Sequence, residues 1–202
     1  VEALVAGLQR SRLPCALIVC AMRGEGAEQV ERAARLAARY AGQGVVGFDL
    51  AGGERGYPAT LHRRAIDIAR EAGLGITLHA GEADDGVRVL EAIALGATRI
   101  GHGVQIAMGE RANEQMAAVV GRGGAGSRSG IGAQAGMAEQ TGRTVHFEVC
   151  PTSNTHTGVC QHLSEHPLPV MWAAGLELSI HTDNRLISGV AHSEELANVH
   201  RV

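Results

Sequence analysis

Thr77-Leu78-His79-Ala80-Gly81-Glu82 closes the apolar run Leu74-Gly75-Ile76 and precedes a helix-like segment, Val87 to Leu95. A histidine and a carboxylate three residues apart, at the mouth of a buried strand, can serve one metal-bound water. The imidazole holds the ion and the carboxylate handles protons. The same placement recurs twice. Ile100-Gly101-His102-Gly103 follows the next apolar run, and Ser179-Ile180-His181-Thr182-Asp183-Asn184 closes the last one. Polar residues where strands stop read as a site in a barrel of parallel strands.

Upstream of this stretch, Val1 to Arg10 reads as a helix end. Cys15 to Met22 is a continuous apolar strand, which predicts burial on both faces. A helix over Glu28 to Tyr40 presents Val30, Ala33, Ala37 and Tyr40 on one side. Val45 to Leu50 is the second strand and runs into Ala51-Gly52-Gly53-Glu54, a flexible turn by composition. Thr60 is placed to cap a helix over Leu61 to Ala72, and Gly73 to stop it. Downstream, Asp84 or Asp85 caps Val87 to Leu95, Thr98 to Ile100 is a fourth strand, and Glu110 to Val120 is helical by pattern. Gly121 to Gly142 carries eight glycines and predicts a flexible insertion. Thr144 to Cys150 is the fifth strand, halted by Pro151 and followed by a polar loop, Thr152 to Gly158. A helix over Pro167 to Ala174, a sixth strand over Leu176 to Ile180, and a helix capped by Ser193 complete the pattern.

Strand and helix alternating six times implies an α/β fold with a parallel sheet and right-handed connections. A doubly wound sheet competes, but no Gly-x-Gly-x-x-Gly follows an early strand. A (β/α)8 barrel takes about 250 residues. Six units in one domain of 202 residues therefore predict an incomplete barrel, with its first two β/α units absent.

Composition narrows the function. Hydrophobic residues make up 45% and charged residues 19%, as in ordinary globular proteins. Aromatics are only 2%, so the core must be built of Ala, Val, Leu and Ile. A net charge of −3 with scattered arginines offers no footprint for nucleic acid. No apolar run reaches the roughly 20 residues of a membrane span. Cysteines 15, 20, 150 and 160 lack Cys-x-x-Cys spacing and predict reduced thiols in a cytoplasmic protein.

Together, Phe48-Asp49-Leu50-Ala51-Gly52, Leu78-His79-Ala80-Gly81-Glu82, Gly101-His102-Gly103, Phe147 to Asn154 and Thr182-Asp183-Asn184 resemble the adenosine deaminase family of the amidohydrolase superfamily, in its bacterial form. The resemblance implies a (β/α)8 barrel with one zinc ion, and hydrolysis of adenosine, a 6-aminopurine nucleoside, to inosine and ammonia. It implies His79 and Asp183 as zinc ligands and Glu82 as the acid that protonates purine N1. His102 would orient or deprotonate the zinc-bound water, and Gly52 would offer its backbone N–H to the base. Asn184 stands where a second Asp is frequent; its amide can still donate to N7. The substrate is left open between adenosine, adenine and other 6-aminopurines, and the oligomeric state is open too.

The remaining polar residues read as structural. Asp49 is expected to bond backbone amides of its loop. Glu148 orients a neighbour, and Ser153 and Asn154 shape the loop after their strand. His146 packs half-buried, His181 stays ambiguous, and His62, His156, His162, His166, His192 and His200 belong on the surface or in loops. The family's other zinc ligands form a His-x-His pair, and no His-x-His occurs in these 202 residues. A catalytic zinc takes about three protein ligands. The expectation is a fragment of a longer parent enzyme, inactive alone. A non-catalytic nucleoside-binding homologue is the alternative, separated from it by the sequence upstream of Val1.

Overall fold

The computed structural model describes residues 1–120 and 145–201. The Gly-rich stretch 121–142 lies outside the described residues. Six parallel strands form one sheet in the order β1 to β6: Leu17–Met22, Val45–Ala51, Gly75–Ala80, Arg99–His102, His146–Val149 and Glu177–Ile180. Each strand pairs with its neighbour in sequence. A doubly wound sheet would reverse direction at a switch point, and this one never does. The architecture is therefore an incomplete (β/α) barrel, and its strands all end on one rim.

Helices α1 (Glu2–Gln9), α2 (Ala27–Arg39), α3 (Arg63–Glu71), α4 (Val87–Ala94) and α5 (Ala112–Val120) precede or link the first strands. After β5 come α6 (Pro151–His156), α7 (Leu168–Ala173), α8 (Arg185–Ser188) and α9 (His192–Val199). One core joins the layers: Phe48, Leu50, Leu78, Ile100 and Phe147 from the sheet, with Val30, Ala34, Ala37, Ile66 and Val89 from the helices, are all fully buried. Small alanines in α2 and α3 let those helices approach the strands and each other closely.

Several local expectations change. β1 is apolar throughout, yet Ile18 and Met22 are 42% and 47% exposed, because β1 is an edge strand with a neighbour only at β2. The segment after Pro151 is helix α6 and not a loop. Proline at its first turn fits a helix start, and the buried Glu195 of α9 accepts from Thr152 N–H at 2.7 Å. Thr60 does not cap α3, since a 3-10 turn over Ala59–His62 intervenes. Ser193 lies inside α9, where Glu194 accepts from Ala191 N–H at 2.7 Å instead. Asp85 does accept from Val87 N–H, at 2.8 Å, as α4 begins.

Candidate active site

The rim where the strands end collects the site. β3 delivers His79, half-buried, with its Nδ1 3.1 Å from a carboxylate oxygen of Asp49 on β2. Asp49 thus holds an imidazole in place; the expectation that it bonds backbone amides of its own loop is corrected. Opposite His79 on β4 is Gly101, where a Cβ would stand 3.1 Å from the imidazole, so the histidine ring occupies the space a side chain would need. Burial pushes the His79 pKa down, but the hydrogen bond and charge of Asp49 outweigh it and the net shift is upward.

The loop role belongs to Glu54. It is 2% exposed, and its carboxylate accepts from the backbone N–H groups of Gly81, Glu82 and Ala83 at 2.7, 2.8 and 3.1 Å. The turn Ala51 to Glu54 is therefore pinned, not loose. Arg23, just past β1 and also 2% exposed, donates to Leu50 C=O at 3.2 Å, to Tyr57 C=O at 3.3 Å and to His79 C=O. Arg23 and Glu54 together fix the loops that carry His79 and Glu82. Sequence reading missed both, although Glu54 follows a strand end, the rule that located His79.

Glu82 projects from the end of β3 toward β4 and α6. Thr157 Oγ1 donates to it at 3.0 Å and Asn154 Nδ2 approaches at 3.4 Å; its other oxygen lies 3.5 Å from His102 Nε2. Burial raises its pKa above the usual carboxylate range, against the opposing hydrogen bond from Thr157. His102, 3% exposed, has its ring centroid 5.2 Å from that of His79. Burial first, then the neighbouring His79, lower its pKa to about 4. On Asp183, Ser153 Oγ donates to one carboxylate oxygen at 2.7 Å and Asn184 N–H to the other at 2.8 Å. Burial opposes ionisation there, yet the Ser153 hydrogen bond and the His102 charge bring the pKa below its ordinary value.

His102 and Asp183, with φ of 64° and 55°, are the only non-glycine residues in the left-handed region among the described residues. Such backbone costs on the order of 1–3 kcal/mol each and gathers at functional sites. Gly52, at φ 96°, ends β2 in a conformation that suits glycine, with Met22 and Arg23 close to where a Cβ would stand. Asn184 caps α8: its Oδ1 accepts from Leu186 and Ile187 N–H at 3.0 and 3.3 Å, and its amide nitrogen has no partner among the described residues.

Of the histidines expected on the surface or in loops, His62 and His166 are buried, His166 within a loop. His62 is 3% exposed in the turn before α3, which packs on α2 and α4. His166 is 4% exposed and reaches Asn154 Oδ1 at 3.1 Å, so burial drops its pKa to about 4. Asn154, fully buried, shapes more than its own loop because it joins His166 to His102 and Glu82. Glu148 pairs with Arg99, and Ser179 bridges His146 and His181 at 2.7 and 2.6 Å.

A metal ion finds part of what it needs. With Nδ1 of His79 engaged by Asp49, Nε2 is the nitrogen left to bind, the carboxylate–histidine arrangement typical of metal ligands. Asp183 offers a second donor. Among the described residues no group of three His, Cys, Asp or Glu is arranged to hold an ion. These residues thus fit as part of a coordination sphere and do not complete it.

Comparison with known proteins adds ancestry to geometry. The family model described as adenosine deaminase matches residues 1–202. A protein named adenosine deaminase from Mycobacterium marinum is 34% identical over 97% of this chain and 53% of its own length. An adenine deaminase structure from Arthrobacter aurescens superposes with a TM-score of 0.78 at 24% identity, covering 100% of this chain and 54% of the other. An amidohydrolase structure from Burkholderia ambifaria, with bound zinc, gives 0.73 at 21% identity over 95% of this chain and 48% of its own. The chain spans about half the length of the relatives it matches.

Proposed function

The chain belongs to the adenosine deaminase family, and on that premise we propose that its rim takes part in zinc-dependent hydrolytic deamination of adenosine to inosine and ammonia. The observation that carries this reading is that His102 lies beside both His79 and Glu82, with Asp183 near enough for the charges of both histidines to act on it, and that His102 and Asp183 stand in left-handed backbone. His79 Nε2 and Asp183 would hold the zinc, together with donors from outside these 202 residues. Zinc there would lower the pKa of its water to roughly 7.

The chain's own residues supply the rest. Burial keeps a proton on Glu82 closer to neutral pH, which suits it to protonate purine N1. Asp49 keeps the His79 ring oriented, and Ser153 keeps the Asp183 carboxylate turned toward the site. Gly52 would donate its N–H to the base, and the amide nitrogen of Asn184, whose oxygen caps α8, would donate to N7. Proton handling by Glu82 is worth about 10²–10⁴-fold in rate, or roughly 3–5 kcal/mol. Four free thiols, with Cys15 and Cys20 exposed, suit a reducing cytoplasm.

The fold shared with an adenine deaminase favours a second reading in which the substrate is adenine or another 6-aminopurine. One assay decides. The zinc-loaded protein, as its gene encodes it, is offered adenosine, adenine and N6-substituted nucleosides, and hydrolysis products are quantified. Inosine from adenosine is the expected result. Conversion of another 6-aminopurine alone moves the assignment to the second reading, and no conversion of any overturns both.

A further inference from the structure

A chain of hydrogen bonds behind the site begins at a group whose role cannot change. The backbone N–H of Leu168, at the start of α7, donates to His166 Nδ1 at 3.0 Å. That nitrogen must therefore be a lone pair, and the hydrogen of the His166 ring sits on Nε2. Nε2 is 3.1 Å from Asn154 Oδ1, so the assignment of oxygen and nitrogen in that side-chain amide follows: a ring N–H needs an acceptor. The NH2 group of Asn154 then points the other way. It lies 3.2 Å from His102 Nδ1 and 3.4 Å from a carboxylate oxygen of Glu82. All three members are sealed from solvent, with Asn154 at 0%, His102 at 3% and His166 at 4% exposure. No bulk water can substitute for a missing partner, and a reversed amide would leave buried donors facing each other.

We infer that His166 and Asn154 are positioning residues that lock His102 in one tautomer, with Nδ1 as acceptor and the hydrogen on Nε2. His102 then presents an N–H donor to the site, toward Glu82 3.5 Å away, and its Nε2 has no lone pair with which to take a proton. Of the two roles open to this histidine, orienting a water and deprotonating it, the relay selects orientation. That catalytic meaning rests on the deaminase reading above; the tautomer itself does not.

The test needs no turnover. Two-bond proton–nitrogen correlation spectra of 15N-histidine-labelled protein distinguish protonated from bare ring nitrogens, and the His102 signals are those that His102→Gln removes. The expected spectrum has one neutral tautomer with hydrogen on Nε2. Asn154→Asp replaces the donor by a carboxylate of the same shape, and the His102 hydrogen should move to Nδ1. A wild-type His102 protonated on Nδ1, or the same tautomer in both proteins, would overturn the inference. If Asn154→Asp fails to fold, the wild-type spectrum alone decides. A protein with the expected tautomer that deaminates nothing would sink the function and leave the relay standing.

Discussion

Glu54 is the residue on which the loop after β3 depends most. Its carboxylate takes three backbone N–H groups beside the buried, positively charged Arg23. Removing one partner of such a buried arrangement costs on the order of 3–5 kcal/mol. Glu54→Ala should lose that much in denaturant melts, whereas a surface change such as Glu28→Ala should lose almost nothing. Glu82 behaves in the opposite sense. Burial raises its pKa, so the folded state holds the proton more tightly than the unfolded chain. Ionisation therefore weakens folding: the penalty is absent at pH values below the ordinary Glu range and is fully present above the folded value. Glu82→Gln carries no such penalty. It should melt no lower than wild type at pH 7, lose that advantage as the pH falls to about 4, and, in the zinc-loaded protein as its gene encodes it, reduce kcat by about 10²–10⁴-fold. His79, Glu82, His102 and Asp183 stand out as candidates in the sequence because each lies at or just past the end of a strand. Arg23, Glu54 and His166 do not, since the partners that tie them to the site (His79, Gly81 and Asn154) lie 56, 27 and 12 residues away and only folding brings them together.

At the scale of elements, apolar runs and glycine stops located all six strands. What they could not locate was α6, whose sequence Pro-Thr-Ser-Asn-Thr-His has no apolar period and whose cap comes from Glu195 on a distant helix. They also overstated the burial of β1, because apolar content says nothing about whether a neighbour is present on both sides. The end of β4 is the tightest joint of the rim. Gly103 has φ 69°, and a Cβ there would stand 2.4 Å from the fully buried Phe147 ring. Overpacking costs roughly 1–3 kcal/mol and left-handed backbone about 1–2 more. Gly103→Ala should therefore melt well below wild type. Gly109→Ala, also at positive φ but with nothing near its Cβ, should lose only the backbone part.

For the whole molecule, six consecutive β/α units carry the two proposed zinc donors, His79 and Asp183, on one rim, while a catalytic zinc takes about three from protein. The 202 residues on their own should then bind zinc weakly and form no measurable inosine from adenosine; rapid turnover by that chain would refute the donor count. Among the described residues no helix is long and apolar enough to cross a membrane. His79 and Asp183 are proposed to serve one ion. Zinc titration against a chromogenic chelator, on the protein as its gene encodes it and on His79→Gln, Asp183→Asn and the double variant, tests that most directly. A single zinc in wild type is predicted, lost at least 10-fold in affinity in either single variant, with the double variant little worse than the weaker single one. Undiminished zinc binding in either single variant would contradict it.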